Sequence, residues 1–268
     1  MKKDCLTTFS KVDFNTFEPE EDKIRIEDIA HALSMMTRAN GHFPQFFSVG
    51  QHCIQCCHEA TARNYLPQTA LACLLHDGSE AYLADITRPV KKNMTMYLQI
   101  EEQLQHMIYT KFLGYVPEGE EAELITNIDD SCLYYEFLHF MDEKMYSVEP
   151  VMVSTPSYEF QPMADVEKEF LSAIRQQIAS GIDLIVHLGR LPDKSRRVLE
   201  ITEVCGVENG EIQISPIYQL EGTEGSWKWK HCGILKNRKK LEMAGLTREK
   251  GEIEDGLSRV SSEPEGGL

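Results

Sequence analysis

One change of pattern near Gly181 constrains the fold of this 268-residue chain more than any other feature. Before it, apolar residues recur every three or four positions, which is typical of amphipathic helices. After it come short segments rich in β-branched residues, separated by turn sequences, which are typical of strands. The sequence therefore predicts a mainly α chain, in which an all-α domain (1–178) is followed by a small β-containing appendage.

The predicted helices are long enough to pair as a bundle. Ser48 is a good helix N-cap, and Pro67 suits the first turn of the helix that follows. The predicted helices cover residues 25–36, 48–66, 67–75, 94–113, 121–145 and 163–180. The predicted strands cover residues 182–190, 196–204 and 211–220. The polar, Gly- and Glu-rich tail, residues 248–268, is predicted to be disordered.

Composition limits where the chain works. Hydrophobic residues make up 42% and charged residues 26%, as in ordinary soluble globular proteins. No apolar run approaches the roughly 20 residues of a membrane span, and the N-terminal residues lack the apolar core of a secretory signal. The eight cysteines are then expected to be reduced thiols or ligands, and the location to be cytoplasmic.

The net charge of −16 argues against a nucleic-acid partner. Residues 1–178 hold 14 basic and 28 acidic residues, so this part would repel a phosphate backbone. A small anionic substrate remains compatible, because a metal ion and a few placed cations reverse the potential inside a cleft.

Ionisable residues follow a buried-looking helix at residues 70–75. His76 and Asp77 come directly after it, and Glu80 and Asp85 lie within the next eight residues. Two other predicted helices carry similar side chains, namely His52 on one and the adjacent pair Asp129 and Asp130 on another. Acids in apolar helices are costly to bury unless a cation meets them. A metal ion would serve, and so would an arginine.

The pattern H…HD…D over three helices resembles the HD-domain metal-dependent phosphohydrolase superfamily, in its bacterial and phage 5′-deoxynucleotidase-like branch. The matching stretches are "IEDIAHALSMMTRANGHFPQFFSVGQH", "LACLLHDGSEAYLADITRPVKK" and "IDDSCLYYE". They occur in the family's order and cover residues 12–176. The resemblance implies a helical HD-domain bundle and a divalent metal ion, whether Mn, Co, Mg, Zn or Fe.

The resemblance also implies a role for each residue of the pattern. The metal ligands it implies are His52, His76, Asp77 and Asp129. Asp129 is preferred to Asp130 because Glu136 follows seven residues later, as in the family. Glu80 and Asp85 match acids that orient or deprotonate the attacking water and handle the leaving group. Arg38 matches an arginine that contacts the substrate phosphate, although Ala39 replaces an aromatic residue frequent beside it, which leaves the nucleoside preference open.

The implied activity is metal-dependent hydrolysis of a phosphomonoester, most simply a (deoxy)nucleoside 5′-monophosphate, by a protein that dimerises in the branch it resembles. The alternative is a catalytically silent HD module that binds a nucleotide or a secretion-machinery partner. The secretion-machinery partner is suggested by residues 179–247, which resemble the C-terminal end of pilus-assembly (type II/IV secretion) ATPases. The chain has no phosphate-binding loop of the form G-x-x-x-x-G-K-[ST], so ATPase activity is not implied.

Four further groups are interpreted as structural. Cys53 and Cys56 form a C-x-x-C pair, but without a second pair at suitable spacing we interpret these thiols as apolar core residues rather than a zinc site. Arg88 and Lys91 are interpreted as a solvated face instead of phosphate ligands. His42 and His31 are also interpreted as structural, and His42 is the first to reconsider.

Overall fold

Helices build the first part of the chain. The computed structural model describes residues 4–208, 210–223 and 226–237. Within these ranges the α-helices are α1 (Ile26–Met35), α2 (Val49–Ala62), α3 (Pro67–Leu75), α4 (Arg88–Lys91), α5 (Thr95–Leu113), α6 (Glu120–Met141) and α7 (Met163–Gly181). Short 3-10 turns occupy Glu21–Lys23, Arg38–Gly41 and Gly78–Ala81. Among the helices so described, none combines the length and apolar character needed to cross a membrane.

Local chemistry sets the helix ends. Ser48 and Gln51 form a capping box at the start of α2, where the Gln51 amide donates to Ser48 Oγ at 3.0 Å. This helix ends four residues before the predicted Leu66, because Asn64 adopts a left-handed backbone with φ 60°. Asp142 does the same at φ 52° and ends α6 at Met141, short of the predicted 145.

The prediction of a mainly α chain is wrong, because the structure is mixed α/β. Of the described residues 47% are helical and 18% lie in strands of two antiparallel sheets. The first is a hairpin of β1 (Leu6–Thr7) and β2 (Asp13–Phe14), which falls inside the part predicted to be all-α. Strands of two residues are too short to show an alternating pattern, so the sequence could not reveal them.

The second sheet has the order β3-β4-β5-β6. Its strands are β3 (Leu184–Arg190), β4 (Arg196–Glu208), β5 (Glu211–Glu221) and β6 (Lys228–His231). The strands β4 and β5 extend the predicted strands 196–204 and 211–220, whereas β3 begins two residues after the start of the predicted 182–190, and β6 was not predicted. Residue 209, between the second and third predicted strands, lies outside the described residues, as do the predicted disordered tail 248–268 and residues 238–247 of the secretion-ATPase-like segment.

The chain divides into two compact units. Among the described residues, the first holds those up to Asp183 together with Gly206–Gln213, and the second holds Leu184–Cys205 and those from Ile214 onward. The predicted boundary near 178 therefore falls in the last turn of α7, a few residues before the boundary seen here. The predicted site residues all belong to the first unit.

The core of the first unit surrounds α2. This helix packs against α3 and α6, and α7 packs against α1, α2 and α3. Gly50 allows a close approach, since a Cβ atom there would lie 3.1 Å from the Ser34 amide nitrogen and 3.1 Å from Cγ1 of Val166. All residues from Phe47 to Cys57 are buried. Side chains on α2 are therefore held in a fixed position from several directions.

A connection of irregular backbone, residues 142–162, joins α6 to α7 and runs along α2. Four polar side chains, at every fourth position of α2 and at the residue that follows the helix, bind the backbone of this connection. Gln55 Nε2 donates to the Ser157 carbonyl at 2.6 Å, and Glu59 accepts from the amides of Val153 and Ser154 at 2.9 and 2.7 Å. The full row is Gln51, Gln55, Glu59 and Arg63. These bonds replace the regular hydrogen bonding that the connection lacks.

Candidate metal centre

Three helices bring the four predicted metal ligands to one point. His52 comes from α2, His76 and Asp77 from the end of α3, and Asp129 from the middle of α6. Nε2 of His52 lies 3.2 Å from Nε2 of His76 and 3.1 Å from Oδ1 of Asp129. Oδ2 of Asp77 lies 3.3 Å from Nε2 of His76 and 3.9 Å from that of His52. Ligands about 2.1 Å from one ion stand roughly 3 to 3.5 Å apart, so three of these four separations fit a shared cation and the fourth is slightly longer.

Hydrogen bonds at Nδ1 orient both imidazoles so that Nε2 can bind a metal ion. Nδ1 of His76 lies 2.7 Å from the Cys73 carbonyl oxygen, which can only accept, so this nitrogen carries the proton. Nδ1 of His52 lies 2.5 Å from Oε1 of the fully buried Glu136. Each bond leaves the lone pair of Nε2 for the shared point, as in proteins where a carboxylate or carbonyl supports a ligating histidine.

The carboxylates around the two histidines favour positive charge at this cluster. Burial and Arg38 lower the pKa of His52, but Glu136 and Asp129 outweigh them and raise that pKa to about 10. Burial would raise the pKa of Asp129, yet hydrogen bonds from His52 and His76 hold it well below its usual range. Asp129 therefore stays ionised, and it attracts either protons onto the imidazoles or a cation in their place.

Arg38 is held beside the ligands by its backbone. Its amide donates to the Phe47 carbonyl at 2.8 Å, next to the bridge between Thr37 and Ser48. The next three residues, Ala39, Asn40 and Gly41, all have left-handed backbones, with φ of 52°, 51° and 76°. Such backbone is strained for alanine and reverses the chain tightly after the arginine.

The Arg38 guanidinium reaches into the cluster itself. Nη1 lies 3.6 Å from Oδ2 of Asp77, Nη2 lies 3.3 Å from the ring nitrogens of His52, and Nε lies 3.4 Å from Oε2 of Glu136. An arginine beside the acids was the alternative to a metal in the sequence. The structure contains both features, an arginine and a separate set of four converging donor atoms.

Glu80 and Asp85 line the same cavity as Asp77 and Asp129. Helix α3 ends at Leu75 rather than continuing through Gly78, and the 3-10 turn that follows places Glu80. This side chain is buried, its Oε1 lies 3.2 Å from Nζ of Lys91, and its Oε2 has no hydrogen-bond partner. Burial and the nearby Asp77 and Asp85 raise the pKa of Glu80 well above its usual value. Burial also raises the pKa of Asp85, against the effect of Arg38.

A cavity of about 580 Å³ opens onto the cluster. Its polar wall carries Arg38, His42, Asp77, Glu80, Asp85, Arg88, Lys91, Asp129 and Glu136. Its apolar wall carries Phe43, Ile86, Pro89, Leu133, Phe137, Met141 and Met145. A charged end beside an apolar wall suits a ligand that has an anionic group at one end and a planar or apolar group at the other.

Sequence reasoning missed several of these residues. Arg88 is not merely solvated, because its Nη2 lies 2.6 Å from Oδ2 of Asp129 and its Nη1 lies 2.6 Å from Oδ1 of Asp130. Asp130 itself points to Arg88 and Tyr146, away from the histidines. Lys91 joins Glu80 to Glu101. The missed signal was the spacing of Arg88 and Lys91, which puts both on one side of the short helix α4.

Comparisons with known proteins leave the function to be argued from these residues. No protein-family model matches the chain. The chain is similar to the uncharacterized protein YfdR of Escherichia coli K12, with 36% identity over 108 residues, 40% of this chain and 57% of YfdR. An uncharacterized protein of Rhodobacter capsulatus is 33% identical over 101 residues, 35% of this chain and 51% of that protein. The chain thus spans about half the length of the curated relatives it matches.

Proposed function

We propose that this protein is an HD-type, metal-dependent phosphohydrolase that cleaves a phosphomonoester, most simply a (deoxy)nucleoside 5′-monophosphate. One observation carries the proposal: His52, His76, Asp77 and Asp129 converge at ligand spacing, and two of them, Asp77 and Asp129, line a cavity that also holds Arg38. When bound, a divalent cation supplies Lewis-acid activation of water and of the phosphoryl group. The rest of the chemistry falls to the chain's own side chains.

The cations of the cavity are suited to a phosphate. Arg38 is buried among carboxylates, and its planar guanidinium can donate to two phosphoryl oxygens at once. Arg88 and Lys91 add two further positive charges on the same cavity. Together they offset the charge that spreads over the phosphoryl oxygens during transfer. They also explain how an anion enters a protein whose net charge is −16.

Glu80 is suited to hold the proton that the reaction needs. Burial and the nearby Asp77 and Asp85 raise its pKa and so favour the protonated carboxyl, and Oε2 is the oxygen without a partner. A proton donated from Oε2 to the leaving ester oxygen would stabilise the departing alcohol. Asp85 lines the same cavity and can accept a proton from water. Hydrolysis then yields free nucleoside and inorganic phosphate.

The apolar wall is suited to the nucleoside. Phe43 and Phe137 meet edge to face at 5.2 Å, and Phe43 also stacks with Phe140. Leu133, Met141 and Met145 complete this wall. Ala39 lines the cavity where the family often has an aromatic side chain, so the pocket is wider there. Width at this position favours tolerance of more than one base.

Phosphate release tests the proposal directly. The purified chain is treated with chelator, supplied with Mn²⁺, Co²⁺ or Mg²⁺, and assayed on ribo- and deoxynucleoside 5′-monophosphates. We expect phosphate release that depends on metal and is lost in His52→Gln but retained in His58→Gln, an exposed histidine of the same helix. Tight nucleotide binding without turnover, under every metal, would instead identify the silent binding module.

A further inference from the structure

Buried thiols flank the candidate metal centre, and the functional proposal leaves them without a role. Five cysteines are buried in the first unit, with no disulfide among the described residues: Cys53, Cys56, Cys57, Cys73 and Cys132. Cys56 follows His52 by four residues on α2, so both side chains lie on one face of the helix. Its Sγ lies 3.6 Å from Nε2 of His52, the nitrogen that faces the shared point.

Two groups of side chains that include a thiol have metal-ligand spacing. In the first, the ligand atoms of His52, Cys56 and His76 all lie within 4.8 Å of one another. In the second, those of Cys53, His76 and Asp77 do the same. Both groups share His76 with the nitrogen and oxygen set described above. The thiols therefore border the same point as the carboxylates.

We infer that the centre binds a soft or borderline cation of the Zn²⁺, Co²⁺ or Cd²⁺ class, with the Cys56 thiolate as a ligand beside His52 and His76. This inference rests on the proposed metal centre and adds to it the identity of one donor atom. Sulfur binds such cations about 2.3 Å from the ion, compatible with the 3.6 Å between sulfur and nitrogen seen here. Mg²⁺ and Mn²⁺ favour oxygen and gain little from a thiolate.

Binding of a cation through Cys56 releases the proton of the thiol, since the thiolate is the form that ligates a metal. Asp77 and Asp129 remain oxygen ligands for either class of ion. Soft and hard cations would then use different subsets of one ligand cluster.

Co²⁺ absorption tests the inference without any assay of activity. The chelator-treated full chain is titrated with Co²⁺ while visible ligand-field bands and the near-ultraviolet sulfur-to-cobalt charge-transfer band are recorded. We expect both kinds of band in the wild-type protein. Cys56→Ser should lose the charge-transfer band and keep the ligand-field bands. Cys57→Ser is the matched control, because Sγ of Cys57 contacts Gln177 on the other side of α2, and it should keep both.

Competition between metals provides the second measurement. Cys56→Ser should weaken Zn²⁺ or Cd²⁺ binding about tenfold or more, with Mn²⁺ affinity unchanged, since even residues that only support a ligand contribute about 10- to 100-fold. Ligand-field bands without a charge-transfer band in the wild type would overturn the thiolate and leave the metal centre intact. A charge-transfer band that survives in Cys56→Ser would overturn the assignment to Cys56. Absence of any Co²⁺ binding would overturn the centre itself.

Discussion

Nδ1 of His52 lies 2.5 Å from Oε1 of Glu136, and both side chains are completely buried. The carboxylate fixes which nitrogen of the ring carries the proton, and so which nitrogen faces the metal point. The second oxygen of Glu136 lies 3.4 Å from Nε of Arg38. One acid thus orients both a candidate metal ligand and the candidate phosphate ligand.

Glu136→Gln should weaken metal binding about 10- to 100-fold, because the neutral amide supports the imidazole less well than the carboxylate. Calorimetric titration with Mn²⁺ or Co²⁺ measures the change. Glu123→Gln, on the exposed side of the same helix, is the control and should bind metal as the wild type does. Equal affinities in the two variants would mean that Glu136 does not support His52.

Asp129→Ala should lose metal, and Asp130→Ala should retain it. Of these two acids Asp129 reaches the histidines, with its Oδ1 3.1 Å from Nε2 of His52 and 3.6 Å from Nε2 of His76. Asp130 binds Arg88 and Tyr146 at the surface, where its loss should cost about 1 kcal/mol or less. Metal content of the purified variants by mass spectrometry gives the answer. Metal lost from Asp130→Ala and kept by Asp129→Ala would place the ligand one residue later on α6.

Arg88→Gln should raise the KM for a nucleoside monophosphate more than it lowers kcat. The guanidinium lines the cavity and is half exposed, so it can leave Asp129 and meet an incoming phosphate. Loss of a charged hydrogen bond of this kind costs about 1.5 to 3 kcal/mol, or roughly 10- to 150-fold in apparent affinity. Lys92→Gln, exposed on the same segment, should have wild-type kinetics. An unchanged KM in Arg88→Gln would limit Arg88 to holding Asp129 and Asp130.

Glu80→Gln should keep its metal and lose about 10²- to 10⁴-fold in kcat, the usual contribution of a general acid or base. The amide cannot donate the proton that Oε2 is proposed to hold. Glu101→Gln is the matched control, since Glu101 is the other carboxylate bound by Lys91. Turnover and metal content are measured on the same preparations. Full activity in Glu80→Gln would remove this residue from the reaction.

Glu59→Gln should destabilise the fold by about 1 to 3 kcal/mol at neutral pH, because a buried acceptor of two amides and of Arg63 is weakened. Burial would raise the pKa of Glu59, but its hydrogen bonds from Ser154, Val153 and Arg63 outweigh burial and lower it. The stabilisation by the ionised Glu59 is therefore complete above its pKa in the unfolded chain, about 4.3, and is lost as pH falls through its lower pKa in the folded protein.

Thermal unfolding from pH 7 to pH 3 measures that dependence. The gap in stability between wild type and Glu59→Gln should narrow below about pH 4, where the unfolded carboxylate takes up a proton. Glu143→Gln, exposed on the same connection, should follow the wild type at every pH. A gap that stays constant to pH 3 would show that the charge of Glu59 contributes nothing.

The sequence predicted the helices well because their apolar residues repeat over three turns or more. Pro67 and Ser48 marked helix starts correctly, and the lengths of α2 and α6 were overestimated where Asn64 and Asp142 turn left-handed. Asparagine and aspartate tolerate that backbone, but they do not always adopt it, so neither stop could be read from the residue type.

The candidate site could be assembled only in part. The residues that converge were predicted from a resemblance, since His52 and Asp129 lie 77 positions apart and no local pattern connects them. Arg88 and Glu136 reach the cluster through the packing of α4 and α6, which no periodicity specifies. The polar row from Gln51 to Arg63 was hidden for a similar reason. Its partners are backbone atoms of residues 151–159, and backbone atoms carry no sequence signal.

Helix α2 carries His52 and Cys56 on one face and the row of Gln51, Gln55 and Glu59 on another, while Gly50 meets its neighbours on a third. A library of single substitutions should therefore find few neutral changes along it. His58 is the exposed exception between Val49 and Ala60, and tolerance should concentrate there and in the last two residues. Variation among relatives of this protein is expected to avoid α2 and accumulate on α5, whose outer face meets only solvent over much of its length. An engineer who wants to attach a dye or a tether has, for the same reason, only the exposed His58 and Thr61 to choose from on α2.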